Sequence, residues 1–229
     1  FFVIGFALAI GGLLSSTFHL GHPERAIKAF SQWKSSWLSR EAWLSLFALV
    51  LSGIYALGRI FLDIELTIVG LLSAFFCIAT VFATSMIYAQ LKTVPRWNSR
   101  MTPIVFLIFS IAGGALLAGQ ISVALPLLAL SGVIQVVSWI LGDKAFAQSG
   151  TNLATATGLT VNPSEVRSFE APHTGTNYLL KEFVYKVGRK HSGKLRIMGS
   201  ILAFGMPIIF LSLPFSHFIA TLAFITHII

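Results

Sequence analysis

The sequence predicts an all-α protein, a polytopic bundle of transmembrane helices. Three observations carry that prediction. Hydrophobic residues make up 55% of the 229 residues and charged ones only 10%, where a soluble domain carries about 25% charged residues. Mean hydropathy is +0.83, so the chain lacks the polar surface to stay in water. The apolar residues also gather in runs that match a bilayer, which a helix of about 20 residues crosses, and the basic residues fall in alternate connections between those runs.

Seven spans are expected, at 1–20, 42–60, 66–91, 102–121, 122–142, 197–213 and 215–229, forming one transmembrane domain over 1–229. The first is apolar up to His19, where Gly21 and Pro23 close it, since proline disfavours a helical residue before it. It lacks the basic start of a signal peptide. Glycine and proline occur inside several of the runs. Membrane helices tolerate them because neighbours satisfy the freed backbone groups. In the fourth run the small residues of "AGGALLAG" (112–119) suggest a close helix–helix contact. The chain begins and ends inside apolar stretches, so it reads as a fragment missing both ends.

The basic residues support the span count. The connection 21–41 holds Arg25, Lys28, Lys34 and Arg40, and 92–101 holds Lys92, Arg96 and Arg100. The long polar loop 143–196 holds eight more, from Lys144 to Arg196. The opposite side has Arg59 alone. One missed or false helix would scramble this alternation. The positive-inside rule places the basic face in the cytoplasm. The net charge of +8 is explained by these loops, so no nucleic-acid partner is inferred. Trp33, Trp37, Trp43 and Trp97 flank spans, as interfacial aromatics do. The 143–196 loop is too poorly patterned for an enzyme domain and suits docking of another subunit. Cys77 is the one cysteine, so no intramolecular disulfide and no cysteine-held cluster can form.

The polar chemistry concentrates in "FHLGHPERAIKAF" (18–30) and at Glu41 after "SWLSR". His19 closes the first span near the membrane–water boundary. It either caps the last carbonyls or accepts a proton near pH 7 as a neutral imidazole. Glu41 opens the second span on the same face. It is either an acid in the first helical turn, favoured by the helix dipole, or a functional group at membrane depth. One histidine and one carboxylate at one depth suit a ligand with two hydroxyls that each lose a proton, a quinol. Arg25 and His22 either orient that head group or snorkel. Zinc at His19 and His22 is disfavoured because Pro23 breaks the helix and no cysteine is near. Haem would need paired axial ligands inside helices, and only His217 and His227 lie deeper in spans.

The segments "HLGHPERA" (19–26), "SWLSREA" (36–42), "KTVPRWNSRMTP" (92–103), "PHTGTNYLLKE" and "VGRKHSGKLR" (within 172–196) resemble the membrane anchor subunits of the dimethyl sulfoxide reductase family. The matches keep their order over nearly the whole chain. The resemblance implies an anchor of about eight spans in the bacterial inner membrane, working in anaerobic respiration. It further implies that menaquinol is bound as a substrate and that its electrons pass to an iron–sulfur subunit and then to a molybdopterin catalytic subunit. No metal or covalent cofactor is expected in this chain, and no catalytic residue for the terminal substrate. The family's quinol-site histidine, glutamate and arginine correspond to His19, Glu41 and Arg25. Family members differ in which side their soluble subunits occupy. The competing reading is a non-redox membrane protein, a transporter or an assembly scaffold. Transporters tend to show internal repeats and polar residues at the midplane. Here no repeat is visible and the polar residues cluster at span edges.

Overall fold

Each of the seven apolar runs carries a helix. A computed structural model describes residues 2–18, 22–159, 166, 167, 169, 181, 184–214 and 216–228. Helices α1 (Phe2–Thr17), α2 (Trp37–Phe61), α3 (Thr67–Ala89), α4 (Met101–Leu117) and α5 (Ile121–Ala147) are followed by the short α6 (Leu153–Thr157). Then α7 (Ser192–Ser200), a π-helical turn (Ile201–Gly205) and α8 (Met206–Leu211) run on continuously, and α9 (His217–Ile228) follows. The helices α2, α3, α5 and the stretch Ser192–Leu211 are long and apolar enough to cross a membrane, and α1, α4 and α9 are shorter apolar helices. The chain divides into two compact units, Phe1–Ser138 and Trp139–Ile229.

In the first unit α2 and α3 form an antiparallel hairpin. Trp37 meets Phe82 with ring centroids 6.0 Å apart, and Phe47 meets Phe76 at 5.4 Å. The Ser52 and Ser73 hydroxyls hydrogen-bond at 2.5 Å. These pairs lie at successive depths along one seam. Gly70 lets the helices close at the far end, because a Cβ there would meet the Tyr55 ring at 3.0 Å. The buried seam residues of α2 are small, namely Ser45, Ala48 and Ala56, as expected where lipid-embedded helices associate through close packing. At the α2–α3 connection Asp63 adopts φ 50°, a left-handed conformation that aspartate tolerates.

Helix α1 runs antiparallel to α2. Phe2 packs on Tyr55 with centroids 6.1 Å apart, and the Phe6 ring approaches Gly53. The α3–α4 connection lies at the end of the hairpin where α2 starts. There Tyr88 contacts Trp97 and Phe106 at 5.4 and 5.6 Å, and Asn98 Nδ2 donates to the Ala89 carbonyl at 2.6 Å. In α4 the buried positions are Ala112 and Leu116, one turn apart. A Cβ on Gly114 or Gly119 would meet nothing within 4 Å, so of the small residues at 112–119 Ala112 is the buried one among the described residues.

In the second unit Arg196 at the start of the α7–α8 stretch makes a two-pronged pair with Asp143 near the end of α5, at 2.6 and 2.9 Å. Its guanidinium also lies 5.3 Å from the Trp139 ring centre. Pro207 has no N–H to offer the carbonyl four residues back. That carbonyl, of Ala203, instead lies 2.7 Å from His227 Nδ1 on α9.

The expected 143–196 loop is partly helical. Helix α5 continues to Ala147, and α7 begins at Ser192. Between them, α6 is started by a capping box in which Asn152 and Thr155 satisfy each other's backbone N–H groups. Local capping residues organise this segment where the apolar pattern is too weak to do so.

Candidate functional site

The segment after the first span is a 3-10 helix over Pro23–Phe30, and it is tied to the start of α2. Ser39, 2% exposed, donates its hydroxyl to the Ala29 carbonyl and accepts from the Gln32 N–H at 3.1 Å. Trp43 Nε1 donates to the Phe30 carbonyl at 3.0 Å, and its ring meets Phe30 edge-on at 5.3 Å. Arg40 donates to the Trp33 and Lys34 carbonyls at 3.0 and 2.7 Å, and its guanidinium lies over Trp37 at 4.3 Å. The three α2 residues supply partners that a short 3-10 segment cannot supply itself. Serine, arginine and tryptophan near a helix start are thus structural straps here.

Glu41 is placed differently from the sequence expectation. Helix α2 begins at Trp37 with Ser36 as its N-cap, so Glu41 lies in the second turn and α2 has no acid in its first turn. The helix-dipole effect falls off within the first turn, which weakens the dipole-partner reading. The half-buried carboxylate is turned toward α3, where the Thr84 hydroxyl lies 2.6 Å from Oε1. That hydroxyl also lies 2.9 Å from the Thr80 carbonyl. On α2 Glu41 lies between Trp37 and Phe47, whose rings meet Phe82 and Phe76 in the α3 stretch that leads to Thr84. Arg40, the adjacent cation, is engaged with backbone carbonyls.

His19 lies outside the described residues. Arg25 is 61% exposed, with Glu24 Oε1 3.9 Å from its Nε. His22 Nδ1 lies 2.9 Å from the same carboxylate. Among the described residues no hydrogen bond or ion pair joins Arg25 to Glu41, and none forms a cluster of three or more metal-ligating side chains. The residue that sequence reasoning missed is Thr84. The only sequence signal for it is a threonine pair, Thr80 and Thr84, one turn apart near the end of the third apolar run.

Glu41 thus lies, half-buried, at the end of the first unit that also holds the 3-10 segment and the α3–α4 connection, with the Thr84 hydroxyl as its described partner. The chain is similar to a sulfite dehydrogenase subunit of Allochromatium vinosum, 27% identical over 93% of this chain and 72% of that protein. No solved structure matches the chain. The family model described as DMSO reductase anchor subunit (DmsC) matches residues 1–212, the whole run of apolar helices up to α8. This multi-pass membrane protein, with its acid and strapped basic connection at one end, therefore belongs to the DMSO reductase anchor subunit family.

Proposed function

We propose that this chain is the quinol-oxidising membrane anchor of a molybdenum-enzyme complex, binding menaquinol from the lipid and passing its electrons to an iron–sulfur subunit. The observation that carries the reading is Glu41, a half-buried acid within a spanning helix whose described partner is a hydroxyl rather than a cation. A quinol that becomes a quinone loses two electrons and two protons. His19 and Glu41 each take one proton from a ring hydroxyl and release it to the water at the basic end. Arg25 orients the head group from the 3-10 segment. The electrons go to a cluster in the docked iron–sulfur subunit, so this chain needs no redox centre of its own. The basic connections steer that subunit, as charge complementarity mainly governs encounter and orientation. A molybdopterin subunit beyond it reduces the terminal acceptor. The inner membrane is the site, with the basic face cytoplasmic.

A second reading reverses the direction. The A. vinosum relative is named as part of a sulfite dehydrogenase. In that direction the same two groups would deliver protons to a quinone while a partner supplies electrons. Proton acceptors become donors by microscopic reversibility, so the site serves either direction.

The test is turnover of the whole complex in membranes, driven by menaquinol or by an artificial donor that bypasses this chain. Quinol-dependent turnover that collapses in Glu41→Gln, with artificial-donor turnover retained, supports the reading. Unchanged quinol-dependent turnover removes Glu41 from the site. If quinone analogues fail to quench the protein's fluorescence and no iron–sulfur protein co-purifies, the non-redox scaffold replaces it. Quinone reduction without quinol oxidation selects the reverse direction.

A further inference from the structure

We propose that Thr84 on α3 is a positioning residue for Glu41, whose hydroxyl serves the carboxyl group in both its charged and its neutral state. The inference rests on the quinol reading of Glu41 and adds to it a second helix and a defined hydrogen-bond exchange. The Thr84 hydroxyl carries one hydrogen and has two oxygens within reach, Glu41 Oε1 at 2.6 Å and the Thr80 carbonyl at 2.9 Å. A hydroxyl is one donor and two acceptor sites, so its single hydrogen can satisfy only one of those oxygens fully at a time.

That arithmetic defines two states with the same heavy-atom positions. When Glu41 is ionised, the Thr84 hydrogen points to Oε1. When Glu41 has taken a proton, the carboxylic O–H donates to Thr84 Oγ1. The Thr84 hydrogen then turns back to the Thr80 carbonyl, a bond that threonine makes readily inside helices. The proton arrives from a quinol hydroxyl and leaves to water at the basic end, while the hydrogen of Thr84 stays on Thr84 throughout. Glu41 Oε1 and Thr84 Oγ1 keep each other as partners in both states, so this contact survives the change of protonation. A cation in place of Thr84 would favour the ionised state only.

The packing keeps this exchange in place. Trp37 on Phe82 and Phe47 on Phe76 bracket Glu41 along the seam, at 6.0 and 5.4 Å. Trp37 is itself held under Arg40. The α2–α3 register is therefore locked next to the Glu41–Thr84 contact.

The experiment compares Thr84→Val, Thr84→Ser and Glu41→Gln in membranes that carry the whole complex. Valine keeps the branched shape and removes the hydroxyl, and serine keeps the hydroxyl. Thr84→Val is expected to lower kcat for menaquinol about tenfold with KM little changed, less than the 10²–10⁴-fold expected for losing the acid–base group itself. Thr84→Ser is expected to regain most of that loss, and artificial-donor turnover reports assembly in every variant. An infrared readout is independent of turnover. The carboxyl stretching band abolished by Glu41→Gln, recorded at acidic pH, should shift in Thr84→Val and return in Thr84→Ser. Intact quinol turnover and an unshifted band in Thr84→Val, with Glu41→Gln collapsed, would overturn the Thr84 inference and leave the quinol site standing. Intact turnover in both Thr84→Val and Glu41→Gln removes the Glu41 site and the Thr84 inference together. A loss that serine does not restore means that packing, not the hydroxyl, is at work, and also overturns it. If Thr84→Val does not assemble, Thr84→Ala removes the same hydroxyl and is judged by the same criteria.

Discussion

The two ends of α2 treat their acids in opposite ways. At the far end Arg59 sits with two exposed carboxylates, Asp63 at 3.8 Å and Glu65 at 3.4 Å. Arg59 is thus locally neutralised. At the near end a cation is also adjacent in sequence, but Arg40 turns to the Trp33 and Lys34 carbonyls. Glu41 goes to the Thr84 hydroxyl instead. An opposite charge nearby favours the ionised form of a carboxylate, whereas a hydroxyl can donate to one form and accept from the other. The difference separates an acid that anchors a turn from the acid on which the proposed function rests.

Substitutions at the two ends can break that contrast or sharpen it. The largest effect is expected for His19→Leu, which keeps apolar bulk at the end of the first span and removes a proton acceptor. Quinol-dependent turnover should fall about 10²–10⁴-fold, with artificial-donor turnover retained on the same membranes. Glu41→Gln follows, with a fall of about 10²-fold or more. If glutamine instead leaves turnover intact, the two ends of α2 are chemically alike and the contrast is lost. Ser39→Ala tests the strap and not the chemistry. It strips a donor from the Ala29 carbonyl and an acceptor from the Gln32 N–H. It should destabilise by about 1–3 kcal/mol, read as a lower thermal midpoint in detergent and faster proteolysis within 22–36. Gly70→Ala presses a methyl group against the Tyr55 ring, and should cost about 1 kcal/mol or somewhat more by overpacking without touching the near end. The smallest effect belongs to Glu65→Gln. Exposed ion pairs contribute about 0–1 kcal/mol, so both quinol turnover and the thermal midpoint should match the parent protein. A turnover defect in Glu65→Gln would show that the far end also takes part.

By itself the sequence determined the class, the number of apolar helices and the end at which the acid lies. These follow from local quantities: run length against bilayer thickness, the alternation of basic connections, and the position of Glu41 just inside the second run. It also suggested a close contact over 112–119, where Ala112 is buried and Gly114 faces open space. Only the tertiary structure decided what Glu41 touches. The Glu41–Thr84 pair joins residues 43 apart in sequence, and any slip of α3 along α2 would offer a different side chain. That register is set by the Trp37–Phe82 and Phe47–Phe76 contacts and the close passage at Gly70, which depend on both helices at once. The start of α2 at Trp37 followed the same logic in miniature. Ser36 capped the helix and Ser39, Arg40 and Trp43 held the preceding segment on it, so the helix gained a turn that hydropathy alone had left in the loop. Composition reports which segments must leave water, but the partner of a polar group within them is chosen by how the helices pack.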